Sequence, residues 1–112
     1  MKVMTTSSPF GSRTRTRVLL ALALRGESYP REIARLLETT LSVVQKAVRS
    51  LELDGLIAGR SVGRTRVYAL NPGYFAAKEV RDLARRLAEA DPDLPRAVGA
   101  LRTRPRRTGK PL

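Results

Sequence analysis

Between residues 40 and 54 the apolar side chains Val44, Val48 and Leu51 recur at steps of four and three, and the run halts at Gly55. That spacing is the stripe of a 3.6-residue helix, so these three share one face while Gln45, Lys46 and Arg49 share the other. Such a helix must lay its stripe on a core made elsewhere in the chain, and it leaves a polar, basic face uncommitted. Directly after Gly55, residues 56–61 and 66–70 read as two strands around a basic tip at 62–65. Together the two signals predict a small helical body carrying one hairpin.

The remaining elements fit around this pair. Ser12 is placed to cap a helix over 13–24, which closes on Arg25 and Gly26, a basic last turn and a C-terminal glycine. Pro30 suits the first position of a second, short helix with Glu32 in its first turn, Ile33, Leu36 and Leu37 inside, and Arg31 and Arg35 outside. Residues 38–40 belong clearly to neither neighbour, although Thr40 is a good cap for the helix beginning at Leu41. Two helices joined by so short a turn form a helix-turn-helix. Asn71-Pro72-Gly73 is a strong break, and a long helix is predicted over 74–90. Within it Ala76, Val80, Leu83, Leu87 and Ala90 form a narrow seam of the kind that packs on another helix. Asp91-Pro92-Asp93 closes that helix, and residues 94–101 have room for one or two further turns.

The expected fold class is mainly α with a two-stranded β-hairpin. At 112 residues the chain suits one domain with a single core. Its net charge is +12 and Arg far outnumbers Lys, which favours bidentate pairing with phosphates and makes a polyanion the first partner to consider. The competing reading of the charge is a solvated surface. Cysteine and histidine are both absent, which excludes disulfides, thiolate or imidazole metal sites, and Cys- or His-based catalysis. No paired-carboxylate motif, phosphate-binding glycine loop or nucleophile elbow is present, so neither an enzyme nor a cofactor is expected. The longest apolar run, 18–24, is about a third of a membrane span. Residues 1–9 lack the apolar core of a signal peptide, so a cytoplasmic location is expected. Aromatic residues do not interleave with the basic ones as in single-strand stacking platforms, which argues against RNA or single-stranded DNA.

Three stretches carry a family likeness. Residues 31–37 (REIARLL), 48–57 (VRSLELDGLI) and 63–70 (GRTRVYAL) resemble the second helix, the recognition-helix exit and the wing of ArsR-like and MarR-like bacterial transcriptional regulators. Each motif alone is weak, but the three follow in the right order across roughly residues 10–90. The resemblance implies a winged helix-turn-helix whose third helix enters the major groove while the wing follows the adjacent backbone or minor groove, with a symmetric dimer on two half-sites about one turn apart. It implies a DNA-binding domain (12–72) and C-terminal dimerisation helices (73–101), while the polar, Pro-interrupted start reads as a flexible arm (1–11) and the acid-free, Arg- and Pro-rich end as a disordered basic tail (102–112).

Carried over residue by residue, Thr39, Thr40 and Ser42 fall where such proteins hold phosphates. Val43, Gln45, Lys46 and Arg49 fall on the face that meets base edges and flanking phosphates, and Gln and Arg or Lys have the chemistry to read adenine and guanine. Arg60, Arg64 and Arg66 resemble wing contacts; the alternative is an edge strand blunted by charge. Tyr68 is expected to pack over the hairpin, and Tyr74 and Phe75 to anchor the last helix. The seam Ala76, Val80, Leu83, Leu87 and Ala90 takes the place of a homodimer interface, or else covers the chain's own core. Metal sensors in the ArsR-like group use Cys, His and acidic ligands, and only isolated carboxylates such as Glu79, Asp82 and Glu89 are present, so a soft-metal sensor is not expected. A small-molecule effector is left open.

The expected function is sequence-specific binding of double-stranded DNA by a dimeric transcriptional regulator associated with the nucleoid. A repressor is favoured because the chain offers no extra domain with which to recruit polymerase. A sequence-independent architectural protein is the main alternative, and a protein-binding adaptor a third; adaptors usually carry an acidic or mixed third-helix face, unlike the face of Lys46 and Arg49.

Overall fold

The computed structural model describes residues 8–103, in which five helices and one antiparallel hairpin follow the order α1 (Arg13–Arg25), α2 (Pro30–Leu37), α3 (Leu41–Leu53), β1 (Ile57–Val62), β2 (Thr65–Leu70), α4 (Ala77–Glu89) and α5 (Leu94–Thr103). The mainly helical fold with a two-stranded hairpin is as expected. Residues 1–7 of the expected arm, and all but the first two residues of the expected tail, lie outside the described residues. Among the described residues no helix is long and apolar enough to cross a membrane.

α1 is the centre of the body. Its cap is Ser12, whose hydroxyl accepts from the Arg15 amide at 3.1 Å, and it ends at Gly26 with φ 93°, a conformation open to glycine. Val18, Leu19, Ala21 and Leu22 are fully or almost fully buried because α2, α3, β2, α4 and α5 all pack around this helix. An apolar run without a polar face is what such a surrounded helix requires.

The turn left unassigned by sequence is now clear. Glu38 terminates α2 in the left-handed region (φ 54°), its amide and that of Thr39 bonding back to Arg35 and Ala34, and Thr40 caps α3 by accepting from the Val43 amide at 3.3 Å. Two residues therefore separate the left-handed Glu38 from Leu41. The inner stripe of α3 is Val44, Val48 and Leu51 together with Ala47, and Gly55 (φ 82°) turns the chain into the hairpin.

The hairpin is longer and tighter than expected. Val62 pairs with Thr65, so the tip is only Gly63 and Arg64. Gly63 has φ 63° while Arg64 is not in the positive region, the pattern of a two-residue turn with glycine first, whose twist matches that of the flanking strands. Ser28, in the α1–α2 loop, exchanges two backbone hydrogen bonds with Tyr68, at 3.0 and 2.8 Å, and so adds one rung beyond β2.

α4 begins at Ala77, not Tyr74, because the Asn71 break extends further. Asn71 Oδ1 accepts from the Gly73 amide, Nδ2 donates to the Gly55 carbonyl, and the Tyr74 amide bonds the Asn71 carbonyl. The residues of the expected seam differ in how far they are covered. Ala84 and Ala88, outside that seam, are the fully buried residues of α4; Val80 and Leu87 pack half-buried against the chain's own core; Leu83 is 42 % exposed and Ala90 is exposed; Ala76 precedes the helix. The inward row follows the four-residue steps 80, 84 and 88, where small side chains let α4 approach α1 closely. Asp91 Oδ1 accepts from the Asp93 and Leu94 amides, each at 2.9 Å, and starts α5.

Candidate nucleic-acid interface

A groove of about 500 Å³ runs between the start of α2, the outer face of α3 and the hairpin. Arg31, Gln45, Arg49, Arg64, Thr65 and Arg66 contribute to its walls, and Tyr29, Leu41, Val48 and Tyr68 are among its other lining residues. Four arginines from α2, α3 and the hairpin thus line one groove, with no acidic residue among the lining residues. Such an arrangement concentrates positive potential and suits an anion with several acceptor oxygens. A second cleft, of about 410 Å³, lies between α1, the end of α2 and the α4–α5 link, where Arg13 and Arg17 face Glu38, Asp91 and Asp93 over an apolar floor. Its mixed charge gives no comparable preference.

The recognition-helix candidates divide between the groove and its rim. Gln45 and Arg49 line the groove, whereas Thr39, Thr40, Ser42, Val43 and Lys46 are exposed but lie outside its lining. Thr40 Oγ1 is used in capping and lies 3.5 Å from Ser42 Oγ. Val43 is 39 % exposed, a surface apolar residue beside polar ones.

The three hairpin arginines have different circumstances. Arg64, at the tip, joins no ion pair among the described residues, and the same holds for Arg31, Lys46 and Arg49. Arg60 lies outside the groove and is held in a fork by Glu27, with Nη2 2.8 Å from Oε2 and 2.9 Å from Oε1. Arg66 donates from Nη2 to Glu52 Oε2 at 3.0 Å, and its guanidinium carbon is 5.7 Å from the centre of the Tyr68 ring. The hydrogen bond to Glu52 raises the already high pKa of Arg66 further. Gly59 faces this stack: a Cβ there would come within 2.8 Å of the Tyr68 ring and 2.9 Å of Arg66 Nε.

A buried polar link supports the hairpin from behind. Glu32, 6 % exposed, accepts from Ser28 Oγ at 2.6 Å and Arg25 Nε at 3.1 Å. The same loop carries Glu27, which grips Arg60, and Ser28, which bonds Tyr68. Hairpin placement is therefore tied to the α1–α2 loop.

Sequence reasoning placed Arg31 only on the outside of α2 and missed its convergence with α3 and the hairpin. It also missed Glu27 and Glu52, which lie 33 and 14 residues from their arginine partners and have no local pattern to announce the pairing. Among the described residues no three His, Cys, Asp or Glu side chains gather as a metal group. Comparisons with protein-family models, curated proteins and solved structures found no match.

Proposed function

We propose that the chain is a sequence-specific, double-stranded-DNA-binding transcriptional regulator that works as a homodimer and represses by occupying its site. The observation that carries the reading is the acid-free groove where Arg31, Arg49, Arg64 and Arg66 meet beside Gln45. Gln45 offers bidentate chemistry for adenine and Arg49 for guanine, while Arg31 and Arg64, on the flanking elements, suit phosphates. The resemblance of residues 31–37, 48–57 and 63–70 to winged-helix regulators supports the same division of labour.

Dimerisation enters this proposal through the outward side of α4, where Leu83 is exposed beside Val80 and Leu87, which are only partly covered by the chain's own core. Two copies place two recognition helices on half-sites about one helical turn apart. The net charge of +12 supports a second reading, a protein that coats DNA without regard to sequence.

The test is selection of genomic fragments on the purified protein, followed by titration of the selected duplex and a scrambled one at about 0.15 M salt. A regulator favours its site by on the order of a thousandfold or more. Equal affinity for both duplexes refutes sequence specificity and leaves the coating role.

A further inference from the structure

β2 and the tip present two arginines to the groove under opposite conditions. Arg64 has no ion-pair partner among the described residues, whereas Arg66, two residues on, is already matched by Glu52 from the last turn of α3. The Arg66 and Glu52 side chains are 47 % and 33 % exposed, so water reaches both and the pair is of the weak, exchangeable kind. The guanidinium lies over the Tyr68 ring, in space that a Cβ at position 59 would crowd. Arg66 therefore lines an anion groove with its charge already answered.

We propose that Glu52 restrains Arg66 from the phosphate backbone and thereby limits sequence-independent affinity, which makes Glu52 a specificity-determining residue. The inference rests on the DNA reading of the groove. A phosphate that recruits Arg66 must displace a carboxylate, so one anion is exchanged for another and little is gained. With a neutral residue at position 52 the same phosphate meets an unanswered cation. Binding then neutralises about one more phosphate, and the slope of log affinity against log salt steepens by about one unit.

Removing any acid from the protein strengthens attraction to DNA, and Glu27 supplies the control for that general effect. It pairs with an arginine of the same hairpin at comparable distance. In the strand register Arg66 stands opposite Ser61 while Arg60 stands opposite Val67, which puts the two arginines on opposite faces of the ribbon, and Arg60 does not line the groove. Glu27→Gln changes the charge equally without freeing a groove cation.

The experiment titrates the full chain, Glu52→Gln, Glu27→Gln, Arg66→Ala and the double variant Glu52→Gln/Arg66→Ala on scrambled and selected duplexes from about 50 to 200 mM salt. Circular dichroism confirms that each variant keeps its helices. Glu52→Gln is expected to bind scrambled DNA severalfold more tightly than Glu27→Gln, with a slope steeper by about one unit and a smaller preference for the selected site. Arg66→Ala is expected to weaken Glu52→Gln by much more than it weakens the wild type, so that the gain is abolished in the double variant, a coupling that an independent structural role for either residue does not produce. Equal behaviour of the two glutamate variants, a weaker Glu52→Gln, or a gain that survives loss of Arg66 each overturns the role of Glu52 alone. A wild type that binds neither duplex overturns the DNA reading, and this inference with it.

Discussion

Arg15 Nη1 lies 2.8 Å from Asp54 Oδ2 and donates to Ser50 Oγ at 2.6 Å, so the first turn of α1 grips the end of α3. The same side chain donates from Nε to the Phe10 carbonyl at 2.8 Å. One arginine, 17 % exposed, thus joins the entry of the chain, the central helix and the exit of α3. Its position at the C-terminal end of α3 also places a cation where the helix dipole favours one.

Arg15→Met keeps much of the apolar stem and removes these bonds. It is expected to lower stability by about 1–2 kcal/mol, below the upper range for charged hydrogen bonds because Asp54 is itself 55 % exposed to solvent. Urea unfolding should show a lower midpoint with the slope unchanged. An unchanged midpoint shows that the link contributes nothing to the folded state.

For the groove, Gln45→Ala and Arg49→Ala are expected to cost about 1–3 kcal/mol on the selected site and to relax the preferred base at one position each. Arg31→Ala and Arg64→Ala should weaken all duplexes alike and reduce the salt slope by about one unit. Titrations across salt and single-base variants separate the two classes. A Gln45→Ala protein with unaltered base preference removes base reading from α3.

The legibility of these elements from sequence differed for physical reasons. The stripe of Val44, Val48 and Leu51 and the caps at Ser12 and Thr40 were readable because both depend on neighbours within about one helical turn. The arginine pairings with Glu27 and Glu52, and the arrival of Arg31 at the groove, depend on how α2, α3 and the hairpin pack, which no local spacing encodes. In α4 the spacing displayed the stripe of Val80, Leu83 and Leu87 but gave no sign that Ala84 and Ala88, small and inconspicuous, are the residues fully buried in the body. Residues 74–76 read as helix because the reach of the Asn71 turn, bonded to Gly55 across the fold, is a tertiary effect.

Gly59→Ala tests the hairpin stack directly. The new methyl would meet the Tyr68 ring at 2.8 Å and Arg66 Nε at 2.9 Å; the arginine can swing away, but Tyr68 is a buried residue whose backbone is bonded to Ser28. A loss of about 1–3 kcal/mol is expected from overpacking, seen as a lower melting temperature. Unaltered melting would show that Tyr68 can move aside without cost.

Residues 104–112 contain Arg104, Arg106, Arg107 and Lys110 and no acid. Truncation after Thr103 is expected to weaken binding to every duplex, most at low salt, and to flatten the salt slope by up to several units, since each phosphate-neutralising cation adds about one. The melting temperature should hardly change, because the segment has little apolar area to contribute to a core. A large drop in melting temperature would show that the segment packs on the body.

The proposed dimer makes the most discriminating use of α4, because its two rows of apolar residues face different ways. Ala88 is fully buried and Leu83 is 42 % exposed, so a charge at each position meets a different environment. Ala88→Glu forces an unpaired carboxylate into the core at a cost of several kcal/mol and is expected to unfold the chain whether or not it dimerises. Leu83→Glu leaves the core intact, and its carboxylate is costly only when a second copy covers it. In sedimentation at on the order of tens of micromolar the wild type is expected to run as a dimer and Leu83→Glu as a folded monomer with helix content retained. Operator binding by that monomer should fall strongly, since the half-sites are then engaged one at a time. A wild type that sediments as a monomer at that concentration removes the dimer from the proposal. A Leu83→Glu protein that remains dimeric moves the interface away from this side of α4.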